Sequence, residues 1–248
     1  VVIEEYLNYH KHNITLPKTN NEIALSIDHH MIEENKVILQ VGIATSQVLD
    51  FSEMAPINVS LVIDKSGSMN SEGRILKVKE ALRKFVKGLR PDDIISIITY
   101  DSEARVILPA TKVNKIDRLN SIIESIYANG STNLYGGLEL GYKEILKNYK
   151  EKHTNKVILL TYGIANVGVI TPDSIVFKSS HYNQMGIDIS TIGVGSNVNY
   201  SLLQQLSKAG RGANHFVGSE KEDITKVFDS ELESLLSPLA KHVFLELE

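Results

Sequence analysis

An α/β fold is predicted for this sequence: a doubly wound, mostly parallel six-stranded sheet with helices on both faces and a small antiparallel β appendage built from the termini. Three observations predict it. From Ile57 onward, short apolar runs alternate with segments of helical period, which is the pattern of βαβ units. Several of those runs are apolar on successive residues, as in Val157-Ile158-Leu159-Leu160, and strands covered by helices on both faces read this way. The first fifty-odd residues instead alternate apolar and polar positions with no helix between, so they read as antiparallel strands with one wet face.

Taken in order, the appendage strands are expected at Glu22–Asp28 and Lys36–Thr45, with Ile23, Leu25 and Ile27 facing one way and Val37, Leu39, Val41 and Ile43 likewise. Parallel strands are expected at Ile57–Ile63, Ile94–Tyr100, Lys156–Thr161, Ile187–Val194 and Asn214–Val217. The run Ala104–Leu108 follows its predecessor after only three residues, too few for a crossover, so it should be an antiparallel hairpin partner. Helical spacing of three and four marks Ile75, Val78, Leu82, Phe85, Val86 and Leu89, then Ile116, Leu119, Ile122, Ile123 and Ile126. Four further helices are expected over Leu134–Tyr149, Thr171–Met185, Tyr200–Ala209 and Glu220–Leu236. Pro172 near one start, and Gly88 with Pro91 at another end, fit the usual helix punctuation. The final ten residues alternate again at Val243, Leu245 and Leu247. The expected organisation is therefore an N-terminal appendage over 1–55, an α/β domain over 56–238 and a strand over 239–248 returning to the appendage.

Composition narrows the function classes. At 248 residues the chain has room for one domain plus an appendage, and 42% hydrophobic residues with 23% charged suffice for a sizeable core. With 26 basic against 30 acidic residues and no long run of Lys or Arg, nucleic acid is a poor partner. No stretch of 18 apolar residues is present, and Val1 to Tyr6 lack the charged start of a signal peptide. The apolar ends, Val1-Val2-Ile3 and Val243-Phe244-Leu245, read as cuts through a larger protein. Zero cysteines exclude disulfides, a thiol nucleophile and a cysteine zinc site.

The chemistry concentrates where the first parallel strand ends, in Asp64-Lys65-Ser66-Gly67-Ser68-Met69, shortly before a helix. Open α/β sheets place ligands at such strand ends. One carboxylate and two hydroxyls two residues apart form an all-oxygen set suited to Mg²⁺, Mn²⁺ or Ca²⁺. The same residues could merely cap the following helix.

Asp64, Ser66 and Ser68 match the D-x-S-x-S signature of the metal-ion-dependent adhesion site (MIDAS) of von Willebrand factor A domains. Gly130-Ser131-Thr132-Asn133-Leu134 resembles that family's threonine loop, and Leu159-Leu160-Thr161-Tyr162-Gly163-Ile164-Ala165-Asn166 its second aspartate loop. The resemblance runs from about Ile57 to Leu236, and the flanking strands are similar to the inter-α-trypsin-inhibitor heavy-chain-like group. It implies a protein-binding or adhesion module, not an enzyme, in which Asp64, Ser66, Ser68 and Thr132 hold Mg²⁺ (or Mn²⁺ or Ca²⁺) and a partner's acidic side chain completes the site. Lys65, Met69, Asn70, Asn133 and Tyr135 are then expected around its mouth as partner contacts. An extracellular or cell-envelope location follows from the same analogy.

The sequence departs from the family pattern at Tyr162, where aspartate is usual. A phenol is neutral near pH 7. Its presence removes roughly 4 kcal/mol of attraction per unit charge pair at 4 Å and an effective dielectric of 20, doubled for a divalent ion and before any gain from reduced desolvation. Weak or absent metal binding is the expected consequence, with the ring crowding the site or its hydroxyl holding a water there. A metal-independent interaction surface, or a structural domain with an inactive site, is the alternative reading. An aspartyl-phosphate enzyme using Asp64 is a weaker rival, because those enzymes want an aspartate where Ser66 stands. Nucleotide binding lacks its Gly-Lys-Ser or Gly-Lys-Thr. Asp101, just after the second parallel strand, reads as a turn residue.

Overall fold

The computed structural model describes residues 14–17, 23–33, 36–45, 55–195, 197–217 and 224–236. Two compact units divide the chain, one being Ala55–Leu236 and the other the unit that holds the N-terminal strands. In the latter, β1 (Ile23–Glu33) and β2 (Lys36–Thr45) form an antiparallel two-stranded sheet. The pairing sets Leu25 opposite Ile43 and Ile27 opposite Val41, so the predicted apolar sets share one face. That face is not dry as expected: Leu25 is 66% and Ile27 69% exposed. Two strands have too little area to bury each other's side chains, and a covering layer is what buries them. The predicted strand over 239–248 lies outside the described residues.

The larger unit runs β3 (Ile57–Asp64), a 3₁₀ turn (Gly67–Gly73), α1 (Arg74–Gly88), β4 (Ile94–Tyr100), β5 (Ala104–Lys112), α2 (Ile116–Glu124), α3 (Leu134–Leu146), β6 (Thr154–Thr161), α4 (Pro172–Gln184), β7 (Asp188–Val194), α5 (Tyr200–Ala209), β8 (Arg211–Val217) and α6 (Ile224–Leu236). The strands lie in the order β5-β4-β3-β6-β7-β8. All neighbours are parallel except β4 and β5, which form the expected hairpin.

Alternate residues of β3 feed two cores. Val59, Leu61 and Ile63 pack with Phe85 of α1 and Phe228 of α6, whose rings meet edge to face at 5.8 Å. Val62 faces the opposite side with Leu138 and Tyr142 of α3 and Ile175 of α4. Every residue of β3 and β6 is buried, which is why these strands read as continuous apolar runs. A carboxylate on α6, Glu231, ties that helix to the sheet. It accepts from Lys156 of β6 at 3.2 Å and lies 2.7 Å from His215 Nε2 of β8.

Candidate functional site

The chain leaves β3 for β4 on one side of the sheet and later places β6 on the other side of β3. This reversal opens a crevice beyond the carboxyl ends of β3 and β6, the usual ligand position of an open α/β sheet. Asp64 ends β3 and Thr161 ends β6, and the Ile63–Leu160 register sets them side by side. Asp64 is fully buried. Its Oδ1 accepts from the Ser66 backbone N–H at 2.8 Å, and its Oδ2 from the Thr161 hydroxyl and the Tyr162 N–H, both at 3.1 Å. One carboxylate thus clamps two loops.

The third loop is fixed by backbone bonds. Gly67 N donates to Gly130 O at 2.9 Å, and Asn129 N donates to Lys65 O at 2.7 Å. Asn166 holds Thr132 from the far side, its Oδ1 accepting from Thr132 N at 2.8 Å and its own N–H donating to Thr132 O at 3.1 Å. The hydroxyls of Ser66 and Ser68 consequently stand 3.0 Å apart. A Cβ on Gly163 would lie 3.1 Å from Thr132 Oγ1 and 3.8 Å from Ser68 Oγ, so the missing side chain keeps the space among these hydroxyls open. They open into a cavity of about 340 Å³, whose lining includes Ser66, Ser68, Thr132, Gly163, Ile164 and Asn166.

A family model for the von Willebrand factor type A domain matches residues 58–230, spanning all three loops. The chain belongs to this family. An uncharacterised Escherichia coli protein, YfbK, is 33% identical over 216 residues, which are 87% of this chain and 37% of that protein. Mouse inter-alpha-trypsin inhibitor heavy chain H3 is 28% identical over 205 residues, covering 78% of this chain and 22% of its own length. The chain thus spans well under half of these relatives. Among solved structures, a von Willebrand factor type A protein from Catenulispora acidiphila superposes with a TM-score of 0.64 at 15% identity, over 93% of this chain and 51% of that one. The mussel byssus protein PTMP1, solved with a zinc-occupied MIDAS motif, gives 0.58 at 15% identity, over 74% and 48%. Domains of this family are protein-interaction and adhesion modules.

In this von Willebrand factor A domain the predicted oxygen set, Asp64, Ser66, Ser68 and Thr132, is brought together. The predicted mouth residues divide. Asn70 is exposed, but Met69 is fully buried in the core beneath the 3₁₀ turn. Tyr135 is also a core residue, 9% exposed against Leu138 and Tyr142, and burial pushes its phenol up to about 12. Asn133 caps α3, its side chain accepting from Gly136 N at 3.1 Å. Lys65 is half-buried in an ion pair with Asp101. Asp101 is accordingly more than a turn residue. Its carboxylate braces Lys65, its carbonyl accepts from Asn133 N at 2.7 Å, and burial, which opposes its charge, is outweighed by the Lys65 ion pair and the Glu103 N–H, so its acid stays below the usual range.

Tyr162 behaves differently from expectation. Its ring does not crowd the hydroxyls; it is 8% exposed within the core and outside the cavity lining. It lies against Gly195, where a Cβ would approach Cε2 to 2.3 Å, and the Arg74 guanidinium sits 3.9 Å above the ring centroid. Arg74 Nη1 also donates to Ser68 O at 3.0 Å. Arg74, Thr161, Asn166 and Gly195 are site-building residues that no motif singled out.

The oxygen geometry suits a hard divalent ion. Octahedral Mg²⁺ holds oxygens at about 2.1 Å, which separates adjacent ones by about 3.0 Å, the Ser66–Ser68 spacing. The charge is less suited. Among the described residues no group of three His, Cys, Asp or Glu could hold a metal, and Asp64 is the carboxylate of this cradle.

Proposed function

We propose that this chain is a protein-binding module that takes an acidic side chain of a partner at the hydroxyl cradle, with a divalent cation held by Ser66, Ser68 and Thr132 and backed by Asp64. The observation that carries this reading is the convergence of three hydroxyls around the space that Gly163 leaves open. A bound divalent cation supplies a Lewis-acid contact for the partner's carboxylate. The residues supply position and charge. Asp64 contributes one negative charge, and its hydrogen bonds keep the β3 and β6 loops in register. With Tyr162 in place of an aspartate, the cradle is one negative charge short, and a partner carboxylate makes up the deficit. Metal and partner are therefore expected to bind together far better than either alone.

The family's general use as interaction modules supports a binding role over an enzymatic one, and the heavy-chain relatives favour an extracellular or envelope setting. No helix among the described residues is long and apolar enough to cross a membrane.

Calorimetric titration of Mg²⁺ and Mn²⁺ into chelator-stripped protein tests the reading, with Asp64→Ala and Tyr162→Asp alongside. Weak saturable binding in the parent, loss in Asp64→Ala and a gain in Tyr162→Asp are expected. Equal binding by the parent and Asp64→Ala would rule the cradle out as the metal's place. A metal-independent surface becomes the better reading if no variant binds.

A further inference from the structure

Resting on the reading of the cradle as the binding site, we infer that Arg74, held in place by Tyr162, is a built-in counter-cation that keeps the cradle poor in metal until a carboxylate arrives. Tyr162 is then a platform as well as a lost ligand. Its ring is wedged on one side by Gly195, a residue at φ 78° whose missing Cβ makes room for Cε2, Cζ and the hydroxyl. Arg74 stacks on the ring at 3.9 Å, within the range where a guanidinium is attracted to an aromatic face. The same guanidinium donates to the carbonyl of Ser68, one of the three hydroxyl residues.

That hydrogen bond places a full positive charge within roughly 8 Å of any ion seated on Ser68 Oγ, from ordinary covalent dimensions. Like charges at that distance repel, and a divalent ion feels the repulsion twice over. Further contacts of the guanidinium lessen its field at the cradle without moving the charge. Among the described residues Asp64 is the carboxylate that opposes it from within the cradle, and Lys65 adds no net charge because Asp101 pairs with it. A partner carboxylate is favoured by the same field that disfavours the metal. Position 74 thus sets how strongly metal binding depends on the partner.

One consequence concerns Tyr162→Asp. An aspartate introduced there lies beside Arg74 and pairs with it, so its charge reaches the cradle only in part. Restoring strong metal binding takes both changes, and the two substitutions are coupled.

The test is Mn²⁺ calorimetry on the chelator-stripped chain without carboxylate buffers, comparing the parent with Arg74→Gln, Arg74→Lys, Tyr162→Asp and Tyr162→Asp/Arg74→Gln. Arg74→Gln keeps hydrogen-bonding capacity without the charge and should bind about tenfold tighter than the parent. Arg74→Lys should stay near the parent. The double variant should bind more tightly than the product of the two single gains predicts. Thermal unfolding in chelator establishes that each variant is folded. Arg74→Gln binding no tighter than the parent, or single effects that simply multiply, overturns the role of Arg74 while leaving the cradle reading intact. Absence of binding in every variant, the double included, overturns both.

Discussion

Asp64→Asn is the substitution that most sharply separates the clamp from the metal. The buried carboxylate receives the N–H groups of Ser66 and Tyr162 on different oxygens. An amide offers one oxygen and one NH₂, so whichever way the introduced side chain is turned, one buried N–H faces another donor. The Thr161 hydroxyl escapes this conflict because it can donate to Gly163 O, 3.2 Å away. Leaving one buried donor unmade costs about 1–3 kcal/mol. The neutral amide recovers some desolvation cost, which places the expected loss at about 2 kcal/mol. For a unit of this size each kcal/mol moves Tm by about 2–4 °C, so a fall of about 4–8 °C is expected. Asp64→Ala, which abandons both N–H groups, should fall further. Thermal unfolding by circular dichroism in chelator reads this directly, since no metal then contributes. A Tm for Asp64→Asn within about 1 °C of the parent, well below the shift expected for one lost buried bond, refutes the clamp and leaves Asp64 a ligand alone.

Two further outcomes follow from other parts of the unit. Burial opposes the charge on Glu231, but the His215 hydrogen bond and the Lys156 charge outweigh it and hold its carboxyl below the usual range. A depressed folded pKa stabilises above the unfolded carboxylate value of about 4.3, and that stability is lost as pH falls through the folded value. Glu231→Gln should therefore cost about 3 kcal/mol at about pH 7, where it strands Lys156, and progressively less below about pH 4.3. Urea unfolding at about pH 7 and about pH 3.5, on either side of the unfolded carboxylate value, checks it; a gap that stays constant contradicts the assignment. Gly195→Ala should destabilise by about 1–3 kcal/mol through a left-handed φ and overlap with the Tyr162 ring. In a double-mutant cycle with Tyr162→Ala, only the overlap should be relieved, and a coupling energy near zero would show that the ring does not press on Gly195.

The apolar run of β6 and the three-residue gap before Ala104 made strand type and the β4–β5 hairpin legible in the sequence, because burial on both faces and loop reach are local properties of a chain. Asp64, Ser66, Ser68 and Thr132 were legible as a set because a motif preserves their types and order. Met69 and Tyr135 were misplaced because the side of a turn or helix that meets the core depends on how it seats against the sheet. In both cases adjacency to a motif stood in for exposure.

The sequence by itself determined the fold class, the position of the site at the ends of β3 and β6, and the one missing negative charge at Tyr162. These depend on residue type and spacing, which a chain carries whether folded or not. Only the tertiary structure decided what lies beside that missing charge. Arg74 stands outside the three motif stretches and shares no sequence pattern with Tyr162 or Gly195, yet packing stacks the three in a column beside Ser68. Such a contact joins residues from three separate parts of the chain, and its energy exists only once the sheet has brought them together.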